Sequence, residues 1–238
     1  YCDTEEKLLT AFQNASTDQE KPTYIWVTDN ITMESLTATT CAEVPAGTYV
    51  FLQSAPDEEA PYWIKGNNTG STVTDENNAV LKMLGNEMTL SKIIIDGNGN
   101  RRCITWAASK GTLNIKSGTI IQNGGCAVNS NTKALLGLGL YTTATSSVTI
   151  NMFEGAQITN CNFSSKTKAK FVRGKALFID GASAAFNMYG GKIFGNNDIY
   201  ESASYSTSSS ALKLKGADGT IYCYGMFNME GGEICDNY

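Results

Sequence analysis

From residue 111 onward, apolar and polar positions alternate in short runs separated by Gly and Asn. The stretch "FNMYGGKIFGNN" at 186–197 returns as "FNMEGGEICDNY" at 227–238. Two looser copies precede it, "LNIKSGTIIQNGG" from Leu113 and "INMFEGAQITNCN" from Ile150. Their shared asparagines, Asn114, Asn151, Asn187 and Asn228, fall 37, 36 and 41 residues apart. A second repeated piece stands before most copies: "LGLYT" near 138, "ALFID" near 176 and "ALKLK" near 211.

Each unit reads as three short strands. The first is Leu177-Phe178-Ile179 or Leu212-Lys213-Leu214, the second Phe186-Asn187-Met188 or Phe227-Asn228-Met229, and the third Lys192-Ile193-Phe194 or Glu233-Ile234-Cys235. Alternation places Leu177, Ile179, Phe186, Met188 and Ile193 on one face. Gly190-Gly191 and Gly231-Gly232 mark a corner where a side chain would clash or φ must be positive. One unit cannot bury its apolar face alone. Stacked units can, each strand pairing with its counterpart about 4.8 Å away. The predicted fold class is all-β, a parallel β-helix with three strands per coil. Helical repeats of similar period fail because the apolar spacing is two, not 3.6.

The N-terminal part carries the same alternation less regularly, in "PTYIWVTDNITM" (22–33), "AGTYVFLQS" (46–54), "AVLKMLGNEMTLSKIIIDGNG" (79–99) and "CITWAASKGTLNIKSG" (103–118). Before it, "TEEKLLTAFQNA" spaces Leu8, Leu9, Ala11 and Phe12 as one face of an amphipathic helix. The expected organisation is a capping helix within 1–20 and one β-helix over 21–238, irregular to about 110 and regular over 111–238. The helix would cover the open edges of the first coil.

Composition narrows the function classes. The 238 residues carry a net charge of −5, which gives no electrostatic reason to expect nucleic acid. No apolar run approaches the roughly 18 residues of a membrane span. The chain opens at "YCDTEEKLLTAF" without a signal-peptide pattern, so any leader is expected to be removed or absent. There is no histidine, which removes the commonest acid–base residue and metal ligand. Four prolines against 23 glycines suit short strands and tight turns. The seven cysteines (Cys2, Cys41, Cys103, Cys126, Cys161, Cys223, Cys235) form no C-x-x-C pair. Mostly buried thiols are expected, with a Cys2–Cys41 disulfide left open.

The asparagine column is the most regular candidate site. Asn114, Asn151, Asn187 and Asn228 each lie between two inward residues, so they should stack outward as an amide ladder. The same column could offer a flat polar face to a glycan or matrix ligand, flanked by Lys116, Phe153, Tyr189 and Glu230. A second column, Asn123, Asn160, Asn196 and Asn237, is expected to close the turn after the third strand. Insertions fall at one corner, roughly 127–136, 162–174 and 197–210. The middle one sets Lys166, Lys168, Lys170, Arg173 and Lys175 around Phe163 and Phe171, and the last offers Tyr200 and Tyr205. Loops added to a rigid solenoid at one corner are a natural recognition surface.

Units of the form "GxALxφxxGxxFNMxGGxIxxN", with the opening "IWVTDNITM…LTATTCAEVPAGTYVFLQS", resemble bacterial cell-surface, adhesin-like right-handed parallel β-helix proteins of the pectin-lyase-like superfold. The resemblance implies right-handed coiling, an extracellular or cell-surface location, and adhesion or recognition of a glycan or extracellular protein. The superfold also hosts polysaccharide lyases and hydrolases, each with its own catalytic residue pattern. The Asn-Thr-Asp, Gly-Asp-Asp and Gly-His-Gly patterns of the hydrolases are missing. Arg101 and Arg102 after "DGNGN" are the best match to a lyase-type base beside a calcium site, with Asp96, Asn98 and Asn100 resembling the start of a calcium loop. That loop lacks its Gly and its terminal Glu, and a tight Asn/Gly turn accounts for it better. No carboxylate pair matches across adjacent units as glycosidases require. The expectation is a non-catalytic protein without metal or cofactor. The runner-up is a structural subunit that self-associates head to tail through Met229, Ile234 and Cys235 in the last unit. A polysaccharide-active enzyme stands third.

Overall fold

The computed structural model describes residues 1–37, 39–56, 59–67, 78–125, 129–164, 168–199 and 219–237. For 129–135, 163–164, 168–172 and 198–199 the description is of the backbone alone. The chain winds into a parallel β-helix whose three faces are parallel sheets of seven, seven and six strands. Strand partners always come from successive coils, so every registered pair is parallel.

The regular coils follow the alternation directly. Ala185–Met188 lies on the first sheet and Lys192–Phe194 on the second, while Leu177–Ile179 lies on the third. Leu177, Ile179, Phe186, Met188 and Ile193 are all fully buried. They belong to one continuous apolar core running from Leu8 and Phe12 at one end to Met188 and Ile193 at the other. The corner glycines act as expected. Gly191 and Gly232 both have φ of +86°. A Cβ on Gly190 would lie 2.7 Å from the Glu154 backbone N, which reserves that position for glycine as well.

The helix spans Glu5–Gln13, shorter than the 1–20 window. Thr4 caps it, its side chain accepting the Lys7 N–H, and Glu5 and Glu6 occupy the first turn where the helix dipole favours them. Leu8 and Phe12 are fully buried, with Leu9 and Ala11 packed partly against the same core. Residues before the helix add a second cover. The Cys2 N–H donates to the Trp26 carbonyl at 2.7 Å and Thr28 N–H donates to the Cys2 carbonyl at 2.9 Å, closing the edge of the first strand.

Three sequence expectations need correction. In the last coil the strand registered on Leu177–Ile179 of the third sheet is not the expected Leu212-Lys213-Leu214. Ile221–Cys223 fills that slot, paired Leu177↔Ile221 through Ile179↔Cys223, and residues 212–214 lie outside the described residues. The corner insertions are not simply loops. Asn129–Leu136 and Lys168–Arg173 form a parallel pair, and Phe163–Ser164 pairs with Asp198–Ile199. The second asparagine column is really two columns offset by one residue. Asn123, Asn160, Gly195 and Asp236 share the left-handed turn position at φ +52° to +65°. Asn196 and Asn237 stand one step further on. There Asn196 is buried, donating to the Ile158 and Phe194 carbonyls and to Asn237 Oδ1.

Cys2 and Cys41 are both thiols, as are Cys103, Cys161, Cys223 and Cys235. Cys2, Cys103 and Cys161 are buried. Burial pushes the Cys103 thiol well up, and its contact with the Cys161 thiol adds to the effect.

Candidate recognition face

The outward side of the first sheet carries one unbroken column. Strand registers place Tyr24 beside Phe51, Phe51 beside Thr89, and Thr89 beside Asn114. Asn114, Asn151, Asn187 and Asn228 then follow. The asparagines form the expected ladder. Asn228 Nδ2 donates to Asn187 Oδ1 at 2.8 Å, Asn187 to Asn151 at 2.9 Å, and Asn151 to Asn114 at 2.9 Å. Asn114 ends the run by donating to Glu87 Oε1 and Thr89 Oγ1.

A primary amide has two N–H donors and an oxygen with two lone pairs. The ladder engages one donor and one lone pair of Asn151 and of Asn187. The remaining donor and lone pair of each have no partner among the described residues, and each step is repeated about 4.8 Å further on. Two residues along the strand stands a parallel column of Phe153 and Tyr189, rings stacked at 5.5 Å and 27°. Tyr189 is 44 % exposed. At the far end Tyr24 stacks on Phe51 at 4.8 Å, and Tyr24 is also exposed. Aromatic rings therefore border a row of half-buried amides on the outward side of this sheet.

The aromatic end of this column escaped the sequence reading because Tyr24, Phe51 and Thr89 do not repeat the asparagine. The early coils also have unequal lengths, so no fixed period connects the four rows. Only the strand registers align them.

The corner candidates fare differently. Lys166, Tyr200 and Tyr205 lie outside the described residues. Phe163, Lys168, Lys170 and Phe171 lie on strands whose backbone alone is described. Arg173 places its guanidinium over the Tyr222 ring at 5.5 Å. Tyr222 in turn stacks on Phe178, and Phe178 on Tyr141, with Arg102 over the Tyr141 ring at 4.5 Å. Two arginines thus bracket a three-ring stack on the third sheet, a cation–π arrangement that sequence spacing did not reveal.

Arg101 and Arg102 are buried and bonded to backbone. Arg101 donates through Nη1 to the Thr40 carbonyl at 2.9 Å, through Nη2 to the Thr37 carbonyl, and through Nε to Asn67 Oδ1. Burial holds its guanidinium below the ordinary value, with Cys41 opposing. Arg102 donates to the Leu136 carbonyl at 2.8 Å. These are the contacts of fasteners that hold neighbouring segments to the coil. Asp96 closes the turn read as a calcium-loop mimic. Its Oδ1 accepts from the Asn98 backbone N–H at 2.7 Å, and its Oδ2 from Gln122 and Asn123 side chains. Among the described residues no three His, Cys, Asp or Glu side chains group as a metal site would need.

Met229 and Ile234 stand exposed in the last coil, with Tyr224, Met226 and Phe227 beside them. Cys235 is half-buried there, its thiol raised chiefly by desolvation and then by Asp236. Among the described residues no helix is long and apolar enough to cross a membrane. No protein-family model matches the chain, and searches of curated proteins and of solved structures return no match.

Proposed function

We propose that the protein is a non-catalytic recognition module of the cell surface or extracellular space, and that it binds glycan on the outward face of its first sheet. The observation that carries this reading is the juxtaposition of the Asn151–Asn187 amides with the stacked Phe153–Tyr189 rings. A sugar offers a C–H face and a rim of hydroxyls. Aromatic rings take the first, and amides with spare donors and acceptors take the second. Two coil steps, about 9.6 Å, approach the length of a disaccharide in an extended chain. A polysaccharide lying across the strands would therefore meet equivalent groups at intervals.

A glycan array probed with the purified chain tests the reading. Binding that disappears in Tyr189→Ala and Asn187→Ala, with the circular dichroism spectrum kept, is the expected result. Binding that both variants retain would move recognition elsewhere, and an array without any positive glycan would favour a protein ligand.

A second reading has one observation in its favour, the exposed Met226, Met229 and Ile234 of the last coil. A further coil would cover them, and if a second copy supplies it the result is an end-to-end assembly. The helix Glu5–Gln13 occupies the opposite end, so a head-to-tail contact would have to displace it or pack upon it. Light scattering over a concentration series separates the two readings. Mass that grows with concentration and returns to monomer in Met229→Asp/Ile234→Asp would favour assembly.

A further inference from the structure

The corner after the second-sheet strands holds a cleft of about 230 Å³ lined by Asn98, Gly99, Asn123, Gly124, Asn160 and Asn162. That is room for several waters, or one sugar ring. Two of the six lining residues are glycines, which add no side chain to the cleft. A Cβ on Gly124 would lie 2.2 Å from the Leu138 carbonyl oxygen, and Gly99 has φ of +70°.

The amides around it are only partly used. Asn123 gives one N–H to Asp96 Oδ2 at 2.8 Å. Asn162 Oδ1 accepts the Asn197 backbone N–H at 2.7 Å, leaving its two N–H groups without a partner among the described residues. The exposed Asn160 stands on the left-handed turn at φ +53°. Its amide donates no hydrogen bond among the described residues. Three carboxamides with unused capacity therefore converge on one ring-sized space.

The chemistry of the lining selects the ligand. None of the six residues is charged. The carboxylate of the neighbouring Asp96 has both oxygens engaged, by Asn98 N–H and by the Gln122 and Asn123 amides. A calcium ion takes six to eight oxygens and favours carboxylates among them, so this lining suits it poorly. A neutral polyol, whose hydroxyls both donate and accept, matches carboxamides group for group.

We propose that this corner cleft binds one neutral sugar unit, a carbohydrate site separate from the first-sheet face and independent of whether that face binds glycan. Asn160 and Asn162 supply most of the recognition, and Gly99 and Gly124 supply the space.

The test is saturation-transfer NMR with the methyl glycosides of glucose, galactose, mannose and N-acetylglucosamine at millimolar concentration, followed by titration of any positive. The variants are Asn160→Gly, which keeps the left-handed turn, Asn162→Ala, and Tyr189→Ala as a reference on the other face. Asn160→Asp keeps the shape and adds charge, in case Asn160→Gly unfolds. At least one glycoside should bind, and the cleft variants should weaken it about tenfold, the equivalent of one or two hydrogen bonds. Tyr189→Ala removes transfer that comes from the first-sheet face, and in that background the cleft variants should still cause the same loss. No transfer from any of the four glycosides would overturn the proposal, as would transfer that depends on Tyr189 and not on the cleft. Saturable calcium binding abolished by Asn160→Gly would overturn the neutral-sugar assignment.

Discussion

Asn187 donates its side-chain amide to Asn151 across 2.9 Å, joining two residues 36 positions apart in the chain and one coil apart in space. The bond does two things at once. It ties successive coils together outside the core, and it leaves one donor and one lone pair of Asn151 and of Asn187 without a partner among the described residues.

The ladder gives a graded stability prediction. Asn151 bonds on both sides, whereas Asn228 bonds on one and is exposed. At about 1 kcal/mol net per hydrogen bond, Asn151→Ala should cost about 1–2 kcal/mol and Asn228→Ala clearly less. Urea denaturation measures both. Equal costs would mean that the ladder contributes no cooperativity along the coil.

Backbone geometry predicts a sharper contrast between two glycines. Gly191 has φ of +86°, and a Cβ there would lie 2.6 Å and 2.8 Å from the carbonyl oxygens of Ala156 and Phe153. Gly99 has φ of +70° with nothing within 4 Å of its missing Cβ. Gly99→Ala should therefore cost about 1 kcal/mol for the left-handed backbone alone. Gly191→Ala should cost about 3 kcal/mol, because the clash adds to the strain. Thermal unfolding of the pair distinguishes the two terms.

Arg101 fastens the segment around Thr37 and Thr40 to the coil through three hydrogen bonds. Arg101→Met leaves two carbonyls and an amide oxygen without that donor, and a loss of about 3 kcal/mol is expected. Arg101→Lys should recover only part of it, since an ammonium cannot span the same fork. Full recovery by lysine would show that charge alone matters at this position.

The core thiols predict a pH dependence. Cys103 is fully buried and its thiol lies above its ordinary value of 9.0, by burial first and then by contact with Cys161. The unfolded chain therefore loses this proton at lower pH than the folded chain does. Stability is full below pH 9 and falls as pH rises above it, by up to about 1.4 kcal/mol per pH unit from this group. Cys103→Ala should flatten the alkaline slope in denaturation curves recorded above pH 9, even though the cavity lowers stability at neutral pH.

How much of this was legible in the sequence depends on how each feature is encoded. Leu177, Phe186, Met188 and Ile193 announced the coil because burial on a strand imposes a period of two, and stacking imposes the longer repeat. Asn114 through Asn228 announced their ladder because identical amides are what bond along it. Asn160 and Asn196 misled because the turn position accepts Asn, Gly or Asp equally well, so matching letters crossed two columns. Ile221–Cys223 was missed because "ALKLK" copies the expected pattern more closely than "TIYCY" does, while pairing with Leu177–Ile179 decides the register. The corner cleft left no signal, since it is made by glycines and turn asparagines whose convergence only the fold creates.

The most direct test of the recognition face is hydrogen–deuterium exchange with and without a bound oligosaccharide identified on the array. The account predicts slowed exchange in Ser147–Met152 and Ala185–Met188, the strands bearing Asn151 and Asn187 beside Phe153 and Tyr189. Protection confined to 162–174 and 197–210, with these two strands unchanged, would contradict it and place recognition on the corner insertions.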